Sequence, residues 1–137
     1  MIFLKTDEEV ELMRQSNILL GKTFAELAKV IKPGVTTAQL DKVAYEFIMD
    51  NGGKPSCLGY EGYPATLCTS VNEQVVHGIP SDKVVLKDGD IISVDSCILL
   101  NGFHSDSAYT FPVGDVKPEV MQLLRTTKEA LYLGIEQ

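Results

Sequence analysis

Asp95 and Asp106 lie on the two arms of one predicted β-hairpin, Ile91-Ile92-Ser93-Val94-Asp95 and His104-Ser105-Asp106-Ser107-Ala108, turned by Asn101-Gly102. Asn-Gly between two strand-like runs is a strong hairpin signal, because both residues tolerate the positive φ that a two-residue turn demands. With Leu100 facing Phe103, counting back sets Cys97 opposite Asp106 and Asp95 opposite Ala108. The two carboxylates then share one face as diagonal neighbours, with Cβ atoms roughly 7 Å apart or less. Convergent carboxylates on an apolar strand pair are costly unless a proton or a cation lies between them, and a divalent metal ion is the common answer. The alternative is a solvated face on which the acids repel through water. The argument requires a regular ladder, since a one-residue bulge would reverse parity and split the pair.

Other chemically capable residues precede the hairpin, in Cys57-Leu58-Gly59-Tyr60-Glu61-Gly62-Tyr63-Pro64 and in Cys68 to Pro80. A loop with two tyrosines, flexible glycines and nearby thiols is poor core material and plausible pocket wall. On their own, Tyr60 and Tyr63 read as partly buried packing residues. His77, between Val75-Val76 and Gly78-Ile79-Pro80, is expected at a strand end where the backbone turns, and in isolation reads as a turn histidine. His104 is expected on the carboxylate face but at the exposed hairpin tip. No Gly-rich phosphate loop, Gly-x-Ser-x-Gly elbow or paired-histidine metal helix occurs, and nothing around Cys68 resembles a thiol-nucleophile signature.

The elements that must hold these residues are legible in the pattern. Thr6 and Glu9 form a capping box ahead of Val10, Met13, Leu20, Phe24, Leu27 and Ile31 at helical spacing, which Lys32-Pro33-Gly34 ends. Thr36 and Gln39 repeat the device before Leu40, Val43, Ala44, Phe47 and Ile48, with Asn51-Gly52-Gly53 as the stop. Beyond Pro55 come short β-prone runs: Thr66 to Val71, Val75-Val76, Asp90 to Leu99 and Phe103 to Val113. Pro118 opens a last predicted helix with Val120, Leu124 and Leu131 in register. Without repeats or linkers, residues 1–137 read as one α+β domain, an antiparallel sheet covered by helices.

Composition narrows the function classes. The 137 residues are 45% hydrophobic, enough for one real core, and a chain of this size buries roughly two-thirds of its unfolded surface. A formal charge of −7 with scattered lysines and arginines argues against a nucleic-acid partner. No apolar run approaches the roughly 20 residues a spanning helix needs, so no membrane association is expected. Three cysteines without metal-finger spacing, and no signal-peptide core, point to a reducing cytoplasm.

Taken together, Tyr60-x-Gly62-Tyr63-Pro64, Ser70-Val71-Asn72-Glu73, His77-Gly78-Ile79-Pro80, Asp88-Gly89-Asp90-Ile91 and the Asp95 to Asp106 spacing closely resemble type I methionine aminopeptidase. The resemblance runs collinearly from the first helix to the last. It implies the pita-bread (creatinase/aminopeptidase) fold, two pseudo-symmetric α+β halves around a dinuclear metal site, and removal of the initiator methionine from nascent polypeptide N-termini. By that resemblance Asp95 chelates one metal and Asp106 bridges both. His77 is similar to the catalytic histidine that bonds the substrate amide. Cys57, Tyr60, Tyr63 and Cys68, with His77, match substrate-binding positions around the methionine side chain, where sulfur and aromatic edges suit a thioether. Asn72 matches a contributor to a monovalent-cation site. The implied cofactors are two divalent ions, Co, Mn, Fe or Zn, and the implied setting is the cytoplasm near the ribosome.

The sequence departs from the family pattern after Asp106, where only Asp115, Glu119, Glu129 and Glu136 follow and no histidine does. The remaining histidine and glutamate ligands of the family are therefore missing, and the chain reads as the N-terminal half of the catalytic domain, its second half absent. Such a half is expected to be inactive alone, and to pair with the missing half or self-associate through an exposed core. Two other readings compete. A proline-directed peptidase of the same fold normally lacks the Ser-Val-Asn-Glu to His-Gly-Ile-Pro stretch, and a non-catalytic binding protein of that fold typically loses the carboxylates.

Overall fold

In a computed structural model describing residues 2–137, the chain forms three helices and a four-stranded antiparallel sheet. Helix α1 spans Asp7–Val30 and α2 spans Thr37–Asp50, each opened by a complete capping box, Thr6 with Glu9 and Thr36 with Gln39. Each box satisfies two backbone donors that a helix start leaves open, a contribution of about 1 kcal/mol. The strands are β1 (Lys54–Pro55), β2 (Leu67–Val71), β3 (Ile91–Leu100) and β4 (Phe103–Pro112), followed by α3 (Pro118–Ile135) with a proline in its first turn.

Strand β3 is the spine of the sheet. Strand β4 pairs with its whole length, from Ile91↔Pro112 to Leu100↔Phe103. On the other edge β1 and β2 share the strand end to end, with Pro55↔Ile98 followed by Leu67↔Ser96. Between them the chain leaves the edge and makes the excursion that carries Cys57, Tyr60 and Tyr63. The hairpin turn uses Asn101 at φ 53° and Gly102 at φ 83°, the left-handed pair a two-residue turn requires. No bulge interrupts the ladder, so the register matches that expected from the sequence.

The two faces of the sheet differ in kind. Ile92, Val94 and Ile98 of β3 are fully buried, and with Leu67 of β2 they pack beneath Leu19, Leu20 and Leu27 of α1 and Leu40, Ala44 and Ile48 of α2. Gly53 permits this fit, because a Cβ there would lie 2.8 Å from Leu19 and 3.1 Å from both Ile48 and Ile98. The opposite face, with Ser93, Asp95 and Cys97 of β3, is half exposed.

Three expectations are corrected. Val75 and Val76 form no strand; they are 84% and 60% exposed. Asn72 takes φ 52° and its amide bridges Asp90 and the Ile91 N–H, which ends β2 and turns the chain before the valines can find a partner strand. Val10 is exposed: along α1 full burial begins only at Ser16, with Leu12 and Met13 half-buried before it. Helix α3 forms over the expected residues, yet buries none of them, leaving Leu123, Leu131, Tyr132, Leu133 and Ile135 exposed.

Sequence periodicity did not reveal a buried serine pair between α1 and the hairpin. Ser16 Oγ lies 3.0 Å from Ser105 Oγ and 3.2 Å from the Ile98 carbonyl, and Ser105 Oγ lies 3.2 Å from the Ser16 carbonyl. Both residues are buried, so these contacts fix how α1 sits on the hairpin. Ser16→Ala should cost about 1–2 kcal/mol in urea denaturation, because the bonds of the buried Ser16 hydroxyl to Ser105 Oγ and the Ile98 carbonyl are lost, while Ser105 keeps the Ser16 carbonyl. A change within about 0.5 kcal/mol, as for a neutral surface substitution, would contradict this.

Candidate metal centre

The carboxylate pair arises from register alone. Cys97 pairs with Asp106 and Asp95 with Ala108 across the hairpin, so both acids project from the half-exposed face. Asp106 is exposed and Asp95 half-buried. Burial pushes the Asp95 carboxyl above its ordinary pKa, the Asp106 carboxylate raises it further by repulsion, and His77 counteracts both. A carboxylate disfavoured as an anion in this way is one that a nearby cation would stabilise. The donor set is hard oxygen, suited to a divalent ion. Among the described residues, no cluster of three or more histidine, cysteine, aspartate or glutamate side chains is arranged to hold a metal ion. His104, exposed at the hairpin tip, shares a hydrogen bond of 2.9 Å between its Nδ1 and Ser56 Oγ.

Beside the pair opens a cleft of about 490 Å³ lined by Cys57, Tyr60, Tyr63, Cys68, His77 and Ile79, among others. Cys68 reaches it because it sits opposite Asp95 on the same face of the sheet. Burial pushes the Cys68 thiol up, and Asp95 and Asp106 add to this, so it stays a neutral, soft wall element. Tyr63 is half-buried, its hydroxyl 3.0 Å from the Leu67 carbonyl and 3.2 Å from that of Gly78, whereas Tyr60 is 69% exposed and not the packing residue its type suggests. Burial, followed by its contact with Cys68, raises the Tyr63 phenol, keeping it protonated as a donor.

His77 stands at φ 58°, exposed at the cleft rim. Its position is set by Gly78, whose carbonyl accepts from the Thr69 N–H at 2.7 Å and whose N–H donates to Ser70 Oγ at 3.2 Å. Any side chain at Gly78 would collide with the Thr69 carbonyl, so the strand-hugging turn that presents His77 depends on glycine. Asn72 lies apart from this cleft, its side chain engaged by Asp90 at 2.8 Å and the Ile91 N–H at 3.0 Å.

Asp41 was not singled out from sequence. Its Oδ1 accepts from the N–H groups of Thr66 and Leu67 at 2.9 and 2.8 Å, pinning the start of β2 and hence Cys68. Burial raises its pKa while those two bonds oppose the rise. The available signal was an acid between Leu40 and Ala44 on the apolar side of a predicted helix.

The chain is 49% identical over its whole length to a methionine aminopeptidase of Clostridium acetobutylicum, and covers 55% of that relative. It superposes on the crystal structure of a methionine aminopeptidase from Rickettsia prowazekii with TM-score 0.93 and 36% identity, over 96% of this chain and 53% of the other. The prolidase of Pyrococcus furiosus, at 22% identity and TM-score 0.79 over 93% of this chain and 36% of the other, shares the fold. The chain therefore spans about half the length of the relatives it matches. A model of metallopeptidase family M24 matches residues 11–137, and by that match the chain belongs to metallopeptidase family M24.

Proposed function

We propose that this chain carries one half of a dinuclear metal site that removes methionine from the N-termini of nascent polypeptides, and that it is inactive until a second segment supplies the remaining ligands. The observation that carries the reading is the convergence of Asp95 and Asp106 beside the cleft of Cys57, Tyr60, Tyr63, Cys68 and His77. The methionine aminopeptidases that match along the whole chain support it, as does their roughly doubled length.

In this reading Asp95 and Asp106 would hold the divalent ions, Co, Mn, Fe or Zn. When bound, such ions polarise a peptide carbonyl and lower the pKa of water. The chain's own residues do the rest. Cys57, Cys68 and the tyrosine edges offer a thioether soft, polarisable contacts. His77, projected by its left-handed backbone toward the Asp95 side of the cleft, donates to the substrate amide and steadies the oxygen on which charge develops. A monovalent cation at Asn72 would share an oxygen that already accepts from the Ile91 N–H. The exposed apolar residues of α3 and Tyr109 offer contact surface to the completing segment or, in its absence, to a second copy. A cytoplasmic setting, close to emerging chains at the ribosome, belongs to the same proposal and draws on the three unpaired cysteines. No helix among the described residues is long and apolar enough to cross a membrane.

The test is methionine release from a Met-Ala-Ser peptide with added Mn or Co, by the chain alone and after mixing with the remaining segment of the Clostridium acetobutylicum relative. Activity is expected in the mixture only, and Asp95→Asn or Asp106→Asn should lower it by at least ~100-fold. Turnover by the chain alone, or silence from a folded and associated mixture, would overturn the proposal.

The carboxylate pair also sets a pH dependence in the metal-free chain. Because the folded pKa of Asp95 is raised, its contribution to stability is fully present below the unfolded value and is lost as pH rises through the raised one. Asp95→Asn should therefore flatten the decline in stability above the ordinary carboxylate range and leave stability at neutral pH unchanged or higher. Denaturant midpoints measured across that range check this; a steep loss of stability on Asp95→Asn would assign the carboxylate a structural role.

A further inference from the structure

Cys57 and Cys97 come from different strands and meet on the metal-facing side of the sheet. Strand β1 runs along β3 through Pro55↔Ile98, and the next residue, Ser56, donates its N–H to the Cys97 carbonyl at 2.9 Å. The chain then bends at Ser56-Cys57, which turns the Cys57 side chain into the small cleft it shares with Cys97, Tyr60, His104 and Asp106. Both thiols line that cleft. Ser56 is the residue bonded across from Cys97; hydrogen-bonded cross-strand neighbours have Cα atoms about 5.5 Å apart, and a disulfide spans Cα separations up to roughly 7 Å. Both thiols are free and partly accessible. Cys68 is the competing partner: it lines the larger cleft with Cys57, but it is buried.

We propose that Cys57 and Cys97 form a reversible dithiol/disulfide pair that closes the cleft beside Asp106 when a small-molecule disulfide is present. The Cys57 thiolate, which lines both clefts, attacks one sulfur of the oxidant RSSR, forms a mixed disulfide and expels RS⁻. Cys97 then gives its proton to solvent and attacks the Cys57 sulfur, expelling the second RS⁻. Two protein thiols and RSSR become one protein disulfide and two RSH. The product ties the pocket excursion to the hairpin and removes the Cys97 thiol from the cleft it shares with its cross-strand partner Asp106. The inference stands on the Ser56–Cys97 backbone bond and the cleft that both cysteines line, and does not depend on the proposed enzymatic function.

The unfolded chain supplies the control. Loop closure there favours the shortest loop, Cys57 with Cys68, over the longest, Cys57 with Cys97. The 137-residue chain is treated with oxidised glutathione under native conditions and in urea, quenched with acid, and mapped by mass spectrometry of non-reduced peptides. The native chain is expected to give the Cys57–Cys97 bridge in roughly tenfold or greater excess over either alternative, reversed by dithiothreitol, and the unfolded chain to give chiefly Cys57–Cys68. In Cys97→Ser the reaction should stop at Cys57 bound to glutathione, and in Cys68→Ser the Cys57–Cys97 bridge should persist. A native distribution equal to the unfolded one, or stable glutathione adducts without a bridge in the unaltered chain, would overturn the proposal.

Discussion

The two-residue turn at Asn101-Gly102 fixes everything that follows in this molecule. A strand alternates its side chains with a period of two, so a one-residue change in turn length would send one aspartate to the helix-covered face and leave the other behind. With the turn closed by left-handed Asn101 and Gly102, Leu100 must face Phe103, and the remaining pairs follow without a bulge. The same count that buries Ile92, Val94 and Ile98 against α1 and α2 turns Asp95, Cys97 and Asp106 away from them. Core and site are two faces of one register, so the hydrophobic energy that holds the sheet to its helices also holds the carboxylates together.

That arrangement stores an electrostatic cost on the open face and secures it from several sides. Burial and Asp106 raise Asp95, while His77 relieves part of the penalty from across the cleft. His77 is kept there by Gly78, which is fastened to β2 through Thr69 and Ser70, and β2 is in turn fastened to α2 through Asp41. The residues nearest the pair are thus held by backbone hydrogen bonds to regular elements, which limits how far the acids can separate. Among the described residues no lysine or arginine pairs with either acid; the ion pairs there, Arg14 with Glu11, Lys29 with Glu26 and Lys42 with Glu46, lie on helix surfaces.

Much of this was legible in the amino-acid sequence, because the strongest signals are local. Both capping boxes, the Asn-Gly turn and the carboxylate parity depend on residues a few positions apart, and they were read with nearly the observed boundaries. The failures were of a different kind. Val75 and Val76 have the composition of a strand, but a strand needs a partner, and Asn72 turns the chain out of reach first. The Ser16–Ser105 contact and the hold of Asp41 on β2 join residues far apart in the chain, and their side chains are polar, so periodicity counts them as surface. The roles of Cys57, Tyr60, Tyr63, Cys68 and His77 were suggested by family resemblance and not by pattern; the structure brings them to one cleft, for reasons of sheet topology that no window of sequence contains.

The central claim is that the open face of the hairpin, and no other part of the chain, receives a divalent cation. Paramagnetic broadening of side-chain methyl resonances by substoichiometric Mn(II) tests it most directly, since Ala108 faces the carboxylates while Val94 and Ile98 point into the core. The account predicts that the Ala108 methyl broadens first and that Asp95→Asn abolishes the effect, with Val94 and Ile98 broadened far less. Uniform broadening, or broadening centred on the acidic surfaces of α1 or α3, would contradict it.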